Sequence, residues 1–272
     1  MTDILPVSSD WLALRESEDA RARSLDLART AASLLAGRPG DIHDLGSGTG
    51  SMMRWLAPLL PGPQTWILHD WNQALTDRAL EGARPLDADG QPVSVSARTG
   101  NLENLEAPDL TGAGLVTASA LLDVLTFTET HAIVQACLAA GSPAFVSLSV
   151  TGKVDLSPHD ESDTSFETAF NLHQERDSGG RWLLGPNAGS VVRHLFEDAG
   201  WNVREVDTVW RLGSHDPRLL AEWFGGWVDA AVEQRPELRG EALAYRELRM
   251  TQASRGALSV AVHHTDLLAW PR

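Results

Sequence analysis

Apolar and polar residues alternate along the chain in blocks that predict strands separated by helices. Leucines and alanines at helical spacing over residues 11–35, without Pro or Gly, predict one long helix or a broken pair. The turn Gly37-Arg38-Pro39-Gly40 should end it. Beyond this turn the pattern predicts strands at 42–45, 65–69, 93–98, 114–118, 144–150, 202–209 and 257–263. It predicts helices at 51–60, 72–81, 129–140, 190–199, 218–233 and 237–254.

This alternation has a direct consequence for the architecture. Strands that alternate with helices are joined by crossovers, so they lie parallel and carry helices on both faces of the sheet. The rhythm is interrupted after Val150, because residues 153–189 have few apolar runs and many Asp, Glu, Ser and Gly. A stretch of this length without clear elements is typical of a lid or a binding insertion.

A glycine-rich turn follows the first predicted strand. Residues 44–50 read D-L-G-S-G-T-G, and Asp70 ends the second strand, 20 residues after Gly50. In an open parallel sheet this turn lies at the carboxyl edge, where ligands bind. Glycines let the backbone turn tightly and approach a ligand, and a carboxylate at the position of Asp70 can accept hydrogen bonds from both ribose hydroxyls.

The same turn bears on which nucleotide could bind. A dinucleotide fingerprint has the form G-x-G-x-x-G, and counted from Gly46 its third glycine falls on Ser51. The dinucleotide pattern therefore fails. An NAD(P)-dependent oxidoreductase stays as an alternative that this serine weakens.

With Asp44 two residues ahead of it, the turn resembles motif I of the class I S-adenosylmethionine (SAM)-dependent methyltransferases. The match continues along about residues 41–150: Asn101 lies where this family often has an acid after the third strand, and residues 115–122 look like its fourth-strand motif. The resemblance implies SAM as cofactor and S-adenosylhomocysteine (SAH) as product. The cofactor-binding residues that it implies are Asp44, Gly46, Ser47, Gly48, Gly50, Asp70, Trp71, Asn101, Leu102 and Ser119.

The resemblance also implies an overall architecture. We expect an α/β, Rossmann-like, doubly wound sheet of seven mostly parallel strands with an antiparallel last strand and helices on both faces. Residues 1–40 should form an N-terminal helical cap, and residues 41–272 the SAM-binding methyltransferase domain. Within it, residues 153–189 after the fifth strand should form a lid, and residues 216–254 a helical insertion.

The methyl group of SAM is already activated, so the protein mainly has to place a nucleophile in line with it. No Asn/Asp-Pro-Pro-aromatic motif follows the fourth strand, and strands four and five end in Ala118-Ser119 and Val150-Thr151, without acidic magnesium ligands. His263 and His264 point to opposite faces of a strand, which disfavours a metal site there. With these motifs absent, the sequence favours metal-independent transfer of a methyl group to O or N of a small-molecule acceptor.

Candidate catalytic and acceptor-binding residues are less specific. His173 titrates in a useful range, and Asp123 follows the fourth strand, so either could be a general base. Equally, His173 could be a solvated residue and Asp123 a helix cap. Four residues are candidates for contact with the acceptor: Trp11, Arg15, Phe170 and Arg176. Arg15 could instead pair with Asp19, and most of the 10 tryptophans should be core residues.

Charge and composition narrow the partners. The net charge is −15, from 22 basic and 37 acidic residues, and Lys153 is the sole lysine, which disfavours a nucleic-acid substrate. The single Cys137 cannot form an internal disulfide, and there is no run of about 18 apolar residues or signal-peptide pattern. We expect a cytoplasmic monomer or homodimer without membrane or nucleic-acid partners. A SAM-fold protein that binds without catalysis is the second alternative.

Overall fold

The computed structural model describes residues 7–37 and 40–272. The Arg38-Pro39 pair of the expected turn, and the six N-terminal residues searched for a signal peptide, lie outside the described residues. The helices are α1 Ser9–Ala22, α2 Leu25–Gly37, α3 Ser51–Leu56, α4 Gln73–Glu81, α5 Phe127–Ala140, α6 Asp163–Gln174, α7 Ala188–Asp198, α8 Pro217–Gln234 and α9 Arg239–Ser254. The strands are β1 Asp41–Leu45, β2 Thr65–Asp70, β3 Ser94–Thr99, β4 Ala113–Ser119, β5 Ala144–Ser157, β6 Asn202–Leu212 and β7 Ser259–Trp270.

Within the described residues, seven strands form one sheet in the order β3-β2-β1-β4-β5-β7-β6. The pairs among β1 to β5 are parallel, and β7 runs antiparallel to both β5 and β6. This confirms the expected α/β fold with its antiparallel last strand. The strand order reverses between β1 and β4, and this reversal opens a crevice at the carboxyl ends of the strands.

Apolar side chains pack helices against both faces of the sheet. On one face, α5 and α7 contribute Val134 and Phe196, together with the fully buried Cys137. On the other face, α2 and α3 contribute Leu27 and Met52. A third cluster lies under α6, α8 and α9 at the far ends of β5 to β7, and its largest members are Phe166, Trp210, Phe224, Trp227 and Tyr245.

The first predicted helix is the broken pair, α1 and α2. The break falls at Arg23, whose ψ of 142° is extended and leaves the helical region. Ser24 follows, and its backbone N–H donates to the Asp266 carboxylate at 2.8 Å instead of continuing the helix. A buried acid on β7 therefore fixes the start of α2.

Two strands are longer than predicted. β5 continues to Ser157, because Val150, Gly152, Val154 and Leu156 alternate with polar residues, the period of a half-buried strand. The predicted insertion 153–189 therefore contains the end of β5 and the helix α6, and only residues 175–187, which end in a short 3-10 helix, connect α6 to α7. β7 continues to Trp270, well past residue 263, because its polar residues His264 and Asp266 are buried with their apolar neighbours. None of the described helices is long and apolar enough to cross a membrane.

Candidate functional site

Two neighbouring cavities open at the carboxyl edge of the sheet. The first, about 220 Å³, is lined by the glycine turn, by Asp44 and Asp70 at the ends of β1 and β2, and by Ser119 at the end of β4. We call it the turn cavity. The second, about 430 Å³, is lined by Trp11, Trp210, Trp223 and Trp227, and we call it the tryptophan cavity.

The glycine turn is held against the end of β2. The Gly48 N–H donates to Asp70 Oδ2 at 2.8 Å, and the Ser47 N–H donates to the His69 carbonyl at 3.0 Å. Gly46 has a φ of +62°, and a Cβ added there would lie 2.5 Å from Leu121 Cδ1. Both the backbone conformation and the space at this position therefore require glycine.

Asp70 is a buried carboxylate oriented by backbone donors. Its Oδ1 accepts from the Asn72 N–H at 2.9 Å, and its Oδ2 accepts from Gly48. Burial raises the pKa of the Asp70 carboxyl, and the N–H groups of Asn72 and Gly48 oppose that rise. Each oxygen keeps a further lone pair, so this carboxylate can also accept from two adjacent hydroxyl groups.

Asp44 is only half satisfied. Its Oδ1 accepts from Thr117 Oγ1 at 2.7 Å, while its buried Oδ2 has no hydrogen-bond partner within the described residues. Burial raises the pKa of the Asp44 carboxyl from 3.8 to about 7, against the opposing hydrogen bond from Thr117. A buried acceptor in this state is suited to a cation or a hydrogen-bond donor that arrives with a ligand.

Arg23 is the complementary cation, and it was not predicted from the sequence. Its guanidinium is 1% exposed, and its Nη2 donates to Ser119 Oγ at 2.9 Å and to Ser51 Oγ at 3.1 Å. Its Nε and Nη1 have no partner within the described residues. Arg23 is not part of the cavity lining, but through its bonds to Ser51 and Ser119, which are, it places a positive charge directly behind the wall of the turn cavity. No sequence signal marks the residue, because its position at a helix break is set by packing.

The remaining predicted cofactor residues lie around the same cavity. Trp71 is 39% exposed at its rim. Asn101 donates through Nδ2 to Glu103 Oε1 at 3.1 Å, which leaves its Oδ1 free to accept from a ligand. Leu102 and Ser119 line the cavity as well, whereas Gly50, the N-cap residue before α3 with a φ of +82°, is not part of the lining.

The two cavities meet at Arg15 and Ala120, which line both. Arg15 donates through Nε and Nη2 to the Asp19 carboxylate at 3.1–3.2 Å, and its guanidinium lies 4.7 Å from the Trp210 ring centroid. Ala120 has a φ of +50°, a conformation that costs a non-glycine residue energy and is common at functional sites. A group bound in one cavity can thus reach a group bound in the other.

Burial shifts the pKa of two ionisable residues of the tryptophan cavity. It raises the pKa of the Asp123 carboxyl, and the residue's own backbone N–H and the charge of Arg15 partly oppose that rise. Burial lowers the pKa of His264 to about 3, so its imidazole is neutral near pH 7. A carboxylate with a raised pKa is a suitable proton acceptor.

The candidate catalytic and acceptor-binding residues are distributed unequally. Asp123, Trp11, Arg15 and Phe170 line the tryptophan cavity. His173 is not among the lining residues of either cavity: its Nε2 lies 3.3 Å from Glu233 Oε2, and its Nδ1 lies 3.1 Å from Arg176 Nη1. The role of His173 stays a prediction, and the geometry favours Asp123. Arg176 lines the turn cavity instead of the tryptophan cavity.

The chain matches no family model and no curated protein. Among solved structures, it is similar to a cyclopropane-fatty-acyl-phospholipid synthase-like protein from Lactobacillus casei, at 14% identity over 97% of this chain and 94% of that one, with a TM-score of 0.51. A cyclopropane synthase from Mycobacterium tuberculosis matches at 12% identity over 97% and 94%, with a TM-score of 0.50.

A third match, with a TM-score of 0.44, is a SAM-dependent methyltransferase from Geobacter sulfurreducens in complex with SAH, at 16% identity over 99% of this chain and 100% of that one. At such identities a structural likeness speaks to the fold alone. The strand order, the antiparallel β7 and the first two likenesses agree with one another. The chain has the fold of the class I SAM-dependent methyltransferases.

Proposed function

We propose that this protein is a SAM-dependent methyltransferase that transfers a methyl group to O or N of a small molecule without a metal ion. The observation that carries the proposal is the pair of adjoining cavities. One has the polar groups that a SAM molecule needs, and the other reaches it at Arg15 and Ala120.

The turn cavity fits the methionine end of SAM by charge. The unpartnered Asp44 Oδ2 can accept from an α-ammonium group. Arg23, bonded to the lining residues Ser51 and Ser119, places a positive charge behind the same wall that favours an α-carboxylate. An amino-acid zwitterion would complement both charges at once.

The nucleoside end fits the other side of the same cavity. Asp70 would accept from the ribose hydroxyls, Trp71 would cover the adenine face, and Asn101 Oδ1 would accept from the adenine amino group. When bound there, SAM supplies an electrophilic methyl group. In this proposal residues 41–272 are the SAM-binding domain, with segment 153–189 as its lid, since Phe170 and Arg176 from that segment line the cavities.

The chain's own contribution to the transfer is placement and proton removal. The acceptor would enter the tryptophan cavity and approach the methyl group past Ala120, and the buried walls would exclude water. Asp123 would take the proton that an acceptor O–H or N–H loses as its new bond to carbon forms. His264, neutral near pH 7, would add no competing charge.

Ligand-dependent thermal stability tests the proposal. We expect SAM and SAH to raise the melting temperature, because a ligand that binds only the folded state stabilises it. NADH and NADPH at the same concentrations should not. Preferential stabilisation by a nicotinamide cofactor would favour an oxidoreductase instead. Tight SAM binding with no SAH formation from any acceptor would favour a non-catalytic SAM-binding protein.

Replacing Asp70 by alanine should weaken SAM binding while the fold survives. The change removes a carboxylate that accepts from the ribose, and charged hydrogen bonds contribute about 1.5–3 kcal/mol each. Calorimetric titration with SAH measures the loss, and circular dichroism checks the fold. Asp77→Ala, an exposed acid on α4, is the matched control. Unchanged SAH affinity in Asp70→Ala would show that this carboxylate does not hold the ribose.

The identity of the base can be tested by two substitutions. Asp123→Asn should lower kcat by about 10²-fold or more, the usual contribution of a positioned base. His173→Ala should change it much less, since His173 contacts Glu233 and Arg176 outside the tryptophan cavity. SAH affinity should be nearly the same in both variants. A large loss of turnover in His173→Ala with full turnover in Asp123→Asn would reverse the assignment.

A further inference from the structure

We infer that the methyl acceptor is an organic amine on an apolar body, which enters the tryptophan cavity as a cation and is methylated on nitrogen. The inference rests on the proposed function and specifies that the methylated atom of the acceptor is nitrogen, not oxygen. Three features of the cavity wall point to it: the sign of its unpaired charges, its aromatic surface and its unpartnered acceptor atoms.

The cations of the tryptophan cavity are already neutralised. Arg15 is paired with Asp19 at 3.1 Å, and Lys153 is paired with Asp155 at 3.2 Å. Asp123 and Glu222 also line the cavity, and neither forms an ion pair within the described ranges. The ionisable groups of this wall that lack an ion-pair partner within the described residues therefore include two carboxyl groups, whose charge is negative when they are ionised. They attract an ammonium group and repel a carboxylate or a phosphate, in the same direction as the net charge of −15.

The wall also offers the surface on which organic cations bind. Trp223 and Trp227 stack on each other with ring centroids 5.6 Å apart, and Phe170 lies against Trp227 at 6.3 Å. Indole faces attract ammonium groups, and several aromatic rings around one site are a known way to bind them. The Arg15 guanidinium on the Trp210 ring shows that this wall already binds a cation within the protein itself.

Buried polar atoms without partners concentrate at this cavity. Of eleven such side-chain atoms in the described part of the chain, five belong to residues of its wall: Asn171 Oδ1, Gln174 Oε1, Trp210 Nε1, Trp227 Nε1 and His264 Nδ1. The two amide oxygens can accept from the N–H donors of an ammonium group once their side chains turn toward the cavity. The two indole N–H groups are donors and do not bear on the ammonium group.

The atoms and charges of the proposed methyl transfer balance with the amine, SAM and Asp123 alone. The ammonium gives one proton to the Asp123 carboxylate, and the neutral nitrogen gains its lone pair. That pair forms the N–C bond to the methyl carbon, and the S–C bond breaks with its electrons going to sulfur, which leaves SAH. The product is a methylated ammonium, and Asp123 then releases its proton to water. Burial raises the pKa of the Asp123 carboxyl, which makes it a better acceptor of this proton.

Matched ligands that differ only in the head group test the inference. We would titrate the protein, saturated with SAH, with 2-phenylethylamine, 2-phenylethanol and phenylacetate by calorimetry, and repeat the series with indolylethyl and octyl bodies. We expect the amine of at least one body to bind about tenfold or more tighter than its alcohol, and its acid to bind most weakly. With SAM in place of SAH, that amine should yield SAH and an N-methylated product.

Substitutions identify the charges responsible. Asp123→Asn should weaken amine binding about tenfold, and the exposed Glu222→Gln about threefold at low salt, without changing the affinity of the alcohol. Glu241→Gln on α9, outside the cavity, is the matched control. If no amine of any body binds tighter than its alcohol and its acid, the inference is wrong. Its failure is separable from that of the proposed function, because SAH binding is measured first and independently.

Discussion

Replacing Asp44 by asparagine should stabilise the ligand-free protein above pH 7. The folded-state pKa of this carboxyl, about 7, lies above its ordinary value of 3.8. Such a group favours folding while it is protonated in both states, and that stability is lost as the pH rises from about 4 through 7. Asparagine stays neutral, keeps an oxygen for the Thr117 hydroxyl, and avoids the loss, which is on the order of 4 kcal/mol for a pKa that rises from 3.8 to about 7.

The same substitution should weaken SAH binding by more than tenfold at pH 8, because the charged acceptor for the ligand's ammonium is gone. In the natural protein, SAH affinity should fall as the pH drops below about 7, since Asp44 must then release a proton before it can accept. Calorimetry in two buffers of different ionisation enthalpy would show proton release at pH 6 and almost none at pH 8.5. Asp44→Asn should release none at either pH.

Urea unfolding at two pH values provides the control for the stability effect. At pH 8 the free energy of unfolding of Asp44→Asn should exceed that of the natural protein, and at pH 4 the two should nearly agree. Equal effects at both pH values would mean that ionisation of Asp44 is not their source. A variant that is more stable but binds SAH as well as before would refute the role of this carboxylate in the site.

Replacing Asp266 by alanine should destabilise the protein by about 4 kcal/mol. This carboxylate is fully buried and accepts from the Ser24 N–H and the Leu148 N–H, both at 2.8 Å, and from Thr208 Oγ1 at 3.3 Å. Alanine leaves two backbone N–H groups buried without acceptors, at about 1–3 kcal/mol each. Urea unfolding monitored by circular dichroism measures the change.

Asp266 also positions residues next to both cavities through its hydrogen bonds to Leu148 and Ser24. Leu148 lines the tryptophan cavity with a φ of +56°, and Ser24 directly follows Arg23. The milder substitution Asp266→Asn should therefore also lower both stability and turnover, because the amide nitrogen of asparagine cannot accept a hydrogen bond from one of the two N–H groups. Asp207→Ala, an exposed acid on the neighbouring strand β6, should change stability by less than about 0.5 kcal/mol. If Asp266→Ala lost no more than about 0.5 kcal/mol of stability, the hydrogen bonds from Ser24 and Leu148 to Asp266 would not hold the fold together as argued.

Most residues of the turn cavity could be predicted from the sequence. The glycines near Asp44 and the acid Asp70 have fixed spacings from their strands, and short-range backbone geometry determines where such residues lie. The alternating blocks likewise predicted the strands and the parallel sheet. The extension of β5 past Val150 was not predicted, although Val154 and Leu156 alternate with Lys153 and Asp155 at the period of a strand.

Other parts depend on contacts between distant residues. Arg23 and Asp266 carry no local signal, because each is defined by partners far along the chain, such as Ser119 for one and Leu148 for the other. The last strand was predicted to end at His263, yet His264 and Asp266 are buried within β7, which continues to Trp270. The tryptophan cavity is assembled from α1, α6, α8, β5, β6 and β7, and no pattern within one segment can show that its residues meet.

The way α1 is attached to the rest of the molecule has a kinetic consequence. Its two buried residues are acids, Glu18 and Asp19, and a bidentate contact from Glu16 to Arg54 links it to the helix that follows the glycine turn. Leu12 of the same helix borders the turn cavity. Half-exposed ion pairs weaken as dissolved salt screens them, whereas apolar packing does not. Raising the ionic strength should therefore loosen the attachment of α1 over the turn cavity. The residence time of a nucleoside bound there should then shorten as the salt concentration rises.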